Sequence, residues 1–241
     1  MIHFCFGNGN SRKGIHIEQY KKYGTVVGCN AIYRDYTPDI LVALDSRINH
    51  EIYRSGYCFE NTSFLGYWTP IPSFIAETML SEQKGRVDVK FNGCQEAVYH
   101  GADGVFTFMQ GVGKNPGITY VTGTKEDKVQ SIEPLINDFA YATGTRSVYL
   151  SCEMGADEVY IIGHDLELDN NIYAGTNAYA QHTTDTLVPK AWTLQHKITF
   201  DTFKFTKFYK VSSNNIEIEE WKECENLEYI TPTDLDKKFK I

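Results

Sequence analysis

Short unbroken apolar runs open the chain. Ile2-His3-Phe4-Cys5-Phe6, Thr25-Val26-Val27-Gly28-Cys29-Asn30 and Asp39-Ile40-Leu41-Val42-Ala43-Leu44-Asp45 are each too brief for a helix. Runs of this kind suit strands covered on both faces, as in a parallel sheet. The polar stretch from Arg12 to Tyr23 reads as a short helix or loop, so the first 50 residues form a βαβ-type unit. Asn8, Asn30 and Asp45 stand at the carboxyl ends of the three strands, which is where open α/β sheets bind ligands.

Over residues 54–121 the periodicity breaks down into mixed aromatics, Gly and Pro, and five glycines fall between Gly101 and Gly117. This predicts an irregular insertion or lid, with a hairpin or short helices. Regularity returns at Asp138. A helix is predicted over 146–154, stopped at Gly155-Ala156, and then a strand over 158–163 that runs into His164-Asp165. A polar loop covers 170–177. Pro189 stands where helices begin, ahead of an amphipathic helix over 190–208. A last strand is expected over 211–218, with a charged surface tail to Ile241. No repeat or linker interrupts the chain, so residues 1–241 read as one α/β domain, a Rossmann-like, mostly parallel sheet flanked by helices.

Composition narrows the class. In 241 residues, 42% are hydrophobic and 14% aromatic, enough to bury a core and too much for a disordered chain. The net charge of −8 disfavours a broad nucleic-acid surface, though a local basic pocket could hold one phosphate. No stretch reaches the roughly 18 to 20 apolar residues of a spanning helix, and the N-terminus lacks the pattern of a secretory signal. A soluble cytoplasmic protein without a transmembrane segment is expected, its state open between monomer and homo-oligomer. Cys5, Cys29, Cys58, Cys94, Cys152 and Cys224 are scattered without a CxxC pair, which predicts reduced structural thiols and no metal site. The Asn/Tyr/Lys-rich composition is compatible with an AT-rich bacterial or a viral source.

Four constellations could carry chemistry. Gly7-Asn8-Gly9-Asn10-Ser11 follows the first strand. Its glycines allow a sharp turn and bring backbone N–H groups near an anion, or serve the turn alone. It is neither a dinucleotide fingerprint nor a P-loop. Thr143, Gly144 and Thr145, ahead of Arg146, mark a helix start suited to a phosphate or carboxylate, or an ordinary threonine cap. Asp165, at a strand end, could hold a sugar hydroxyl or orient a base, and the Tyr173 hydroxyl could steady a leaving phosphate. His182 in a polar loop and His196 in the following helix are candidates for general acid/base work.

Taken in order, Gly-Asn-Gly-x-Ser, Cys-Asn, the Thr-Gly turn and Gly-Ala-Asp-Glu-Val-Tyr-Ile-Ile-Gly-x-Asp resemble a bacterial sialyltransferase family. That family uses CMP-activated sialic acid on a Rossmann-like fold without a divalent metal catalyst. Its signature is shared with flagellin-glycosylation factors and archaeal-type hydroxymethylpterin pyrophosphokinases. The resemblance covers residues 2–50 and 138–210. It implies that Asn8 and Gly9 meet the nucleotide phosphates or sugar, with Ser11 in the same loop, and that Asn30 contacts the donor. Thr143, Gly144 and Thr145 cradle a phosphate or carboxylate, Asp165 supports the donor, Tyr173 stabilises the leaving phosphate, and His182, ahead of His196, is the general base. Glu167 replaces a second phosphate-binding tyrosine, Asn10 replaces a proline, and the arginine expected before the Thr-Gly turn is absent, with Arg146 nearest.

The expectation is therefore an inverting, metal-independent glycosyltransferase that uses a nucleotide sugar, CMP-type first, and a glycan or other hydroxyl acceptor. No cofactor is required. Two alternatives stand beside it. One is a Mg²⁺-dependent pyrophosphokinase using Asp45 and Asp165 with Glu167 close by. The other is a protein that binds a nucleotide or sugar without turnover.

Overall fold

The computed structural model describes the chain except residues 46–47, 50, 53–54, 56, 67, 71–99, 103–104, 113–114, 122–128, 133–134, 137–138, 168–169, 177–186 and 214–216. The backbone divides into two compact units, Met1–Val42 with Leu135–Ile241, and Ala43–Pro134.

The first unit carries an α/β Rossmann-like fold. Its strands are β1 (Ile2–Phe6), β2 (Thr25–Cys29), β3 (Ile40–Ala43), β4 (Glu158–Ile162), β5 (Lys207–Val211) and β6 (Leu227–Ile230). They lie in the order β6-β5-β4-β1-β2-β3, and each neighbouring pair is parallel. β1 occupies the middle, with Ile2 opposite Glu158 on one side and His3 opposite Thr25 on the other. The chain moves outward from β1 through β2 and β3, then returns to β1's other side with β4. That reversal creates a switch point at the carboxyl ends of β1 and β4.

Alternation along β1 assigns its two faces. Phe4 and Phe6 turn to one side, where Phe4 meets Tyr20, Tyr160 and Phe239 at ring-centroid separations of 4.9, 5.1 and 5.0 Å. Burying each such phenylalanine contributes about 2–3 kcal/mol. Cys5 turns to the other side, its thiol 3.1 Å from the Ser151 hydroxyl of helix α1 (Thr143–Glu153). Small residues on both surfaces, Cys5 and Cys29 against Ser147 and Ser151, let α1 lie close on β1 and β2. The five described cysteines are buried and form no disulfide with one another, and Cys94 lies outside the described residues. Helix α2 (Leu187–Thr202) packs beside α1, with Phe200 against Phe208 of β5 and against Trp221.

The polar stretch after β1, expected as a short helix or loop, makes two 3-10 turns, Asn10–Arg12 and Ile17–Tyr20, and the second buries Ile17 and Tyr20. Two expectations are corrected here. The long helix stops at Thr202, and Lys207–Val211 is a strand, so the expected strand over 211–218 begins four residues earlier. The charged tail is not a loose surface segment. It adds β6 at the sheet edge and then helix α3 (Pro232–Phe239), which buries Leu235 and Phe239. Thr231 caps α3 by accepting the Asp234 N–H at 3.1 Å, Pro232 occupies the first turn, and Lys237 and Lys238 close the last.

In the second unit, Ser63–Gly66 pairs in parallel with Val129–Ile132. Val105–Val112 and Asn115–Val121 form an antiparallel hairpin, flanked by Trp68–Pro70 and His100–Ala102. Much of the expected lid, residues 71–99 above all, lies outside the described residues. No helix among the described residues is long and apolar enough to cross a membrane.

Candidate functional site

At the switch point two loops clasp each other. Gly7 N–H donates to Ile162 O and Gly9 N–H to Gly163 O, both at 2.8 Å. Ser11 gives its N–H to Asp165 Oδ2 at 2.9 Å and its hydroxyl to Oδ1. Ile172 N–H returns to Asn8 O at 2.8 Å. A side chain at Gly9 would place a Cβ 2.4 Å from the Asp165 carboxyl carbon, so glycine is required for the loops to meet. Leu166, a non-glycine residue with φ 59°, turns the chain immediately after that carboxylate.

Asn8 reaches sideways to β2. Its Nδ2 donates to Cys29 O at 3.0 Å, which fixes the amide and leaves Oδ1 buried without a hydrogen bond. Asn30, next in chain after Cys29, adopts φ 51°, and its Oδ1 is also buried and unpartnered. Asparagine tolerates the left-handed region better than most residues, but a buried acceptor left unpaired costs about 1–3 kcal/mol. Among the described residues no donor reaches either of these two oxygens at neighbouring strand ends.

The start of α1 lies over the same ends. Its cap residue is Ala142, with no side-chain cap bond, so the expected threonine cap is absent and Thr143, Gly144 and Thr145 form the first turn. The turn is tied to its surroundings at three places. The Cys29 thiol lies 3.9 Å from Thr143 O and 3.3 Å from the Ser147 hydroxyl. Gly144 faces the His164 ring, 3.2 Å from where its Cβ would stand. Gln195 of α2 accepts from Ala142 N–H at 3.0 Å and from the Thr145 hydroxyl at 2.8 Å. The regions around 8, 30, 144 and 165 thus meet at one edge of the sheet.

The individual roles divide. Among the described residues, Asn8 and Asn30 each keep a buried carboxamide oxygen without a hydrogen bond. Gly9, Ser11, Asp165 and Thr145 spend their polar groups on their own chain: the Gly9 N–H is taken by Gly163, Ser11 and Asp165 satisfy each other, and the Thr145 hydroxyl turns inward to Ala142 O and Gln195. Asp165 was also a candidate Mg²⁺ ligand, and both its oxygens accept from Ser11. The Tyr173 hydroxyl donates to Asp35 at 2.6 Å and accepts from Arg12 at 3.1 Å. Burial and the Asp35 bond push its pKa up to about 12. Arg146 pairs with Glu153 at 2.7 Å, seven residues further along α1, so it does not stand in for an arginine ahead of the turn. His182 lies outside the described residues.

Beside the clasp, His196, one of the two candidate bases, is buried together with two groups that had no expected chemical role, His164 and Lys210. His164 and His196 touch, Nδ1 to Nε2 at 3.2 Å, and His196 Nδ1 donates to Trp192 O at 2.9 Å. Burial holds His196 near a pKa of about 4 and His164 well below its ordinary value. Lys210, buried in β5, donates to Val211 O at 3.2 Å, and burial pushes its pKa down to about 8 against the pull of Asp165. Its placement was available from the alternation of Lys207-Phe208-Tyr209-Lys210, which sets it on Phe208's face. Nothing in the local pattern marked Arg12, which is 3% exposed.

No family model, curated protein or solved structure matches the chain, so the functional argument stands on the residues themselves.

Proposed function

We propose that this protein transfers a sugar from a nucleotide-sugar donor, CMP-type, to an acceptor hydroxyl, with the donor held at the carboxyl edge of β1, β2 and β4. The observation that supports this is the convergence of two unpaired carboxamide oxygens, Asn8 and Asn30, with a helix start that has no side-chain cap. Carboxamide oxygens accept from the hydroxyls of a ribose or the amine of a base. The first turn of α1 offers N–H groups and a partial positive charge to the anionic part of the same ligand. Asp165 and Ser11 hold the loop that carries Asn8, so they position the donor without touching it.

The resemblance to sialyltransferases assigns the proton transfer to His182, which takes the acceptor hydroxyl's proton as that oxygen attacks the anomeric carbon in line, inverting it. The departing CMP phosphate then faces Tyr173. A thermal-shift panel of CMP, UMP, UDP, ADP and cytidine, with and without EDTA, tests the reading. CMP raises the melting temperature irrespective of EDTA, Asn8→Ala and Asn30→Ala reduce the shift, and His182→Ala abolishes transfer while preserving it. If no nucleotide or nucleotide sugar moves the melt at millimolar concentration, the proposal fails. The engagement of the Tyr173 hydroxyl by Arg12 and Asp35 favours one second reading, a protein that binds such a ligand without turnover. Chemical conversion of a bound nucleotide sugar over hours excludes that reading.

A further inference from the structure

Arg12 closes the 3-10 turn after β1 and folds back along the sheet edge. Its Nε donates to Gly7 O at 2.8 Å and its Nη2 to the Tyr173 hydroxyl at 3.1 Å. The guanidinium carbon lies 5.8 Å from the Tyr173 ring centroid and 5.9 Å from that of Tyr36. Gly163, at φ 70°, leaves room for the stem, since a Cβ there would fall 3.1 Å from Arg12 Cβ. A carbonyl, a phenol and two rings therefore meet this cation, and among the described residues Nη1 makes no hydrogen bond.

Arginine keeps its charge in a protein, and burying a cation without a paired anion is costly. The nearest carboxylate in the network, Asp35, is reached only through the Tyr173 hydroxyl and is itself exposed. The charge also acts at the end of β2. Burial raises the Cys29 thiol to about 11, opposed by the Ser147 hydroxyl and then by Arg12. Cys29 is the residue whose carbonyl holds Asn8 and whose chain neighbour is Asn30. The cation is thus tied to the Gly7 carbonyl of the clasp and acts on the residue that links the two asparagines.

We propose that Arg12 is the residue that holds the phosphate of the nucleotide, oriented by the Tyr173 hydroxyl and taking the place of the arginine missing before the Thr-Gly turn. The assignment rests on the nucleotide-sugar reading above and adds a full charge to the partial one at the start of α1. It also gives Tyr173 a different part, that of a positioning residue which acts through Arg12.

The test compares CMP with cytidine, which has the same base and ribose but no phosphate. Affinities are measured calorimetrically for the wild-type chain, Arg12→Met and Arg12→Lys, with folding checked by circular dichroism. The wild type prefers CMP by about tenfold or more, the scale of one charge-assisted contact. Arg12→Met brings that ratio close to one while cytidine affinity changes less than about twofold, and Arg12→Lys lies between. A folded Arg12→Met that retains the full preference overturns the assignment and leaves the nucleotide reading standing. Absence of binding of either compound to the wild type overturns both. Should neither variant fold, the wild-type protein labelled with ¹⁵N-arginine decides: one exchange-protected Nε–H resonance shifts with CMP and not with cytidine, and if none does the assignment is wrong.

Discussion

Acidification from pH 7.5 to 5 destabilises the first unit through two histidines that resist protonation while folded. His164 and His196 are 5% and 1% exposed and touch each other, and the nearby charge acting on both is another cation, Lys210. Trp192 O can only accept, so His196 Nδ1 carries that ring's proton and its Nε2 is the lone pair met by His164 Nδ1–H. A proton on His196 Nε2 would set two donors face to face. In the unfolded chain both rings titrate near 6.5, whereas the folded His196 waits until about 4 and His164 lies well below its ordinary value. Lowered folded-state values mean that stability is unaffected above pH 6.5 and is lost as the pH falls below it, because only the unfolded chain binds the protons. By pH 5 the loss from His196 alone is about 2 kcal/mol, His164 adds to it in the same direction, and the sum is a large share of a domain's usual margin. Urea unfolding at half-unit steps of pH, beside an NMR titration of the histidine Cε1 protons, measures both sides of the argument. His196→Gln keeps a donor for Trp192 O and removes one titrating ring, so the slope of stability on pH flattens by about one proton. An unchanged slope, or buried-ring resonances that titrate near 6.5 in the folded protein, would refute the reasoning.

Four further outcomes follow from the same structure. Gly9→Ala drives a methyl group into the Asp165 carboxylate and breaks both Ser11 bonds, costing about 2–3 kcal/mol; a melting temperature within about 1 °C of wild type would show that the clasp is not tight. Lys210→Met removes a buried ammonium whose pKa is pushed down to about 8. It raises the melting temperature by roughly 5 °C at pH 7 and abolishes the gain in stability that the wild type shows as pH rises from 8 toward 10.5. Tyr173→Phe strips Arg12 and Asp35 of their shared hydroxyl, a loss of about 2–3 kcal/mol in a urea melt. Thr231→Ala uncaps α3 and costs about 1 kcal/mol, read the same way.

The sheet was legible wherever apolar runs were unbroken. Ile2–Phe6, Thr25–Cys29, Ile40–Ala43 and Glu158–Ile162 form within a residue or two of the expected spans, because strands buried on both faces need such runs. Residues 203–211 deceived, since Lys-Phe-Thr-Lys-Phe-Tyr-Lys satisfies a helical period and a strand period alike until tertiary packing decides. The tail was misjudged for a related reason: β6 is a half-exposed edge strand and α3 buries only Leu235 and Phe239, so charge dominates its composition. At the site, the convergence of Asn8, Asn30, Gly144 and Asp165 followed from their positions at strand ends and a helix start. How each group is spent did not, because Ser11 and Asp165 are 154 residues apart and no local pattern records which hydroxyl meets which carboxylate. Arg12 stayed hidden for the same reason.

The central place of β1 has a consequence for biogenesis. Its partner on one side is reached after 22 residues, His3 to Thr25, but on the other only after 156, Ile2 to Glu158. A folding chain can pair β1 with β2 early, yet the innermost strand keeps one edge open until the segment from Glu158 joins it. Such long-range closure is slow and exposes an intermediate with that edge open to aggregation, so the yield of native protein depends on how the edge is guarded until Glu158 and its neighbours arrive.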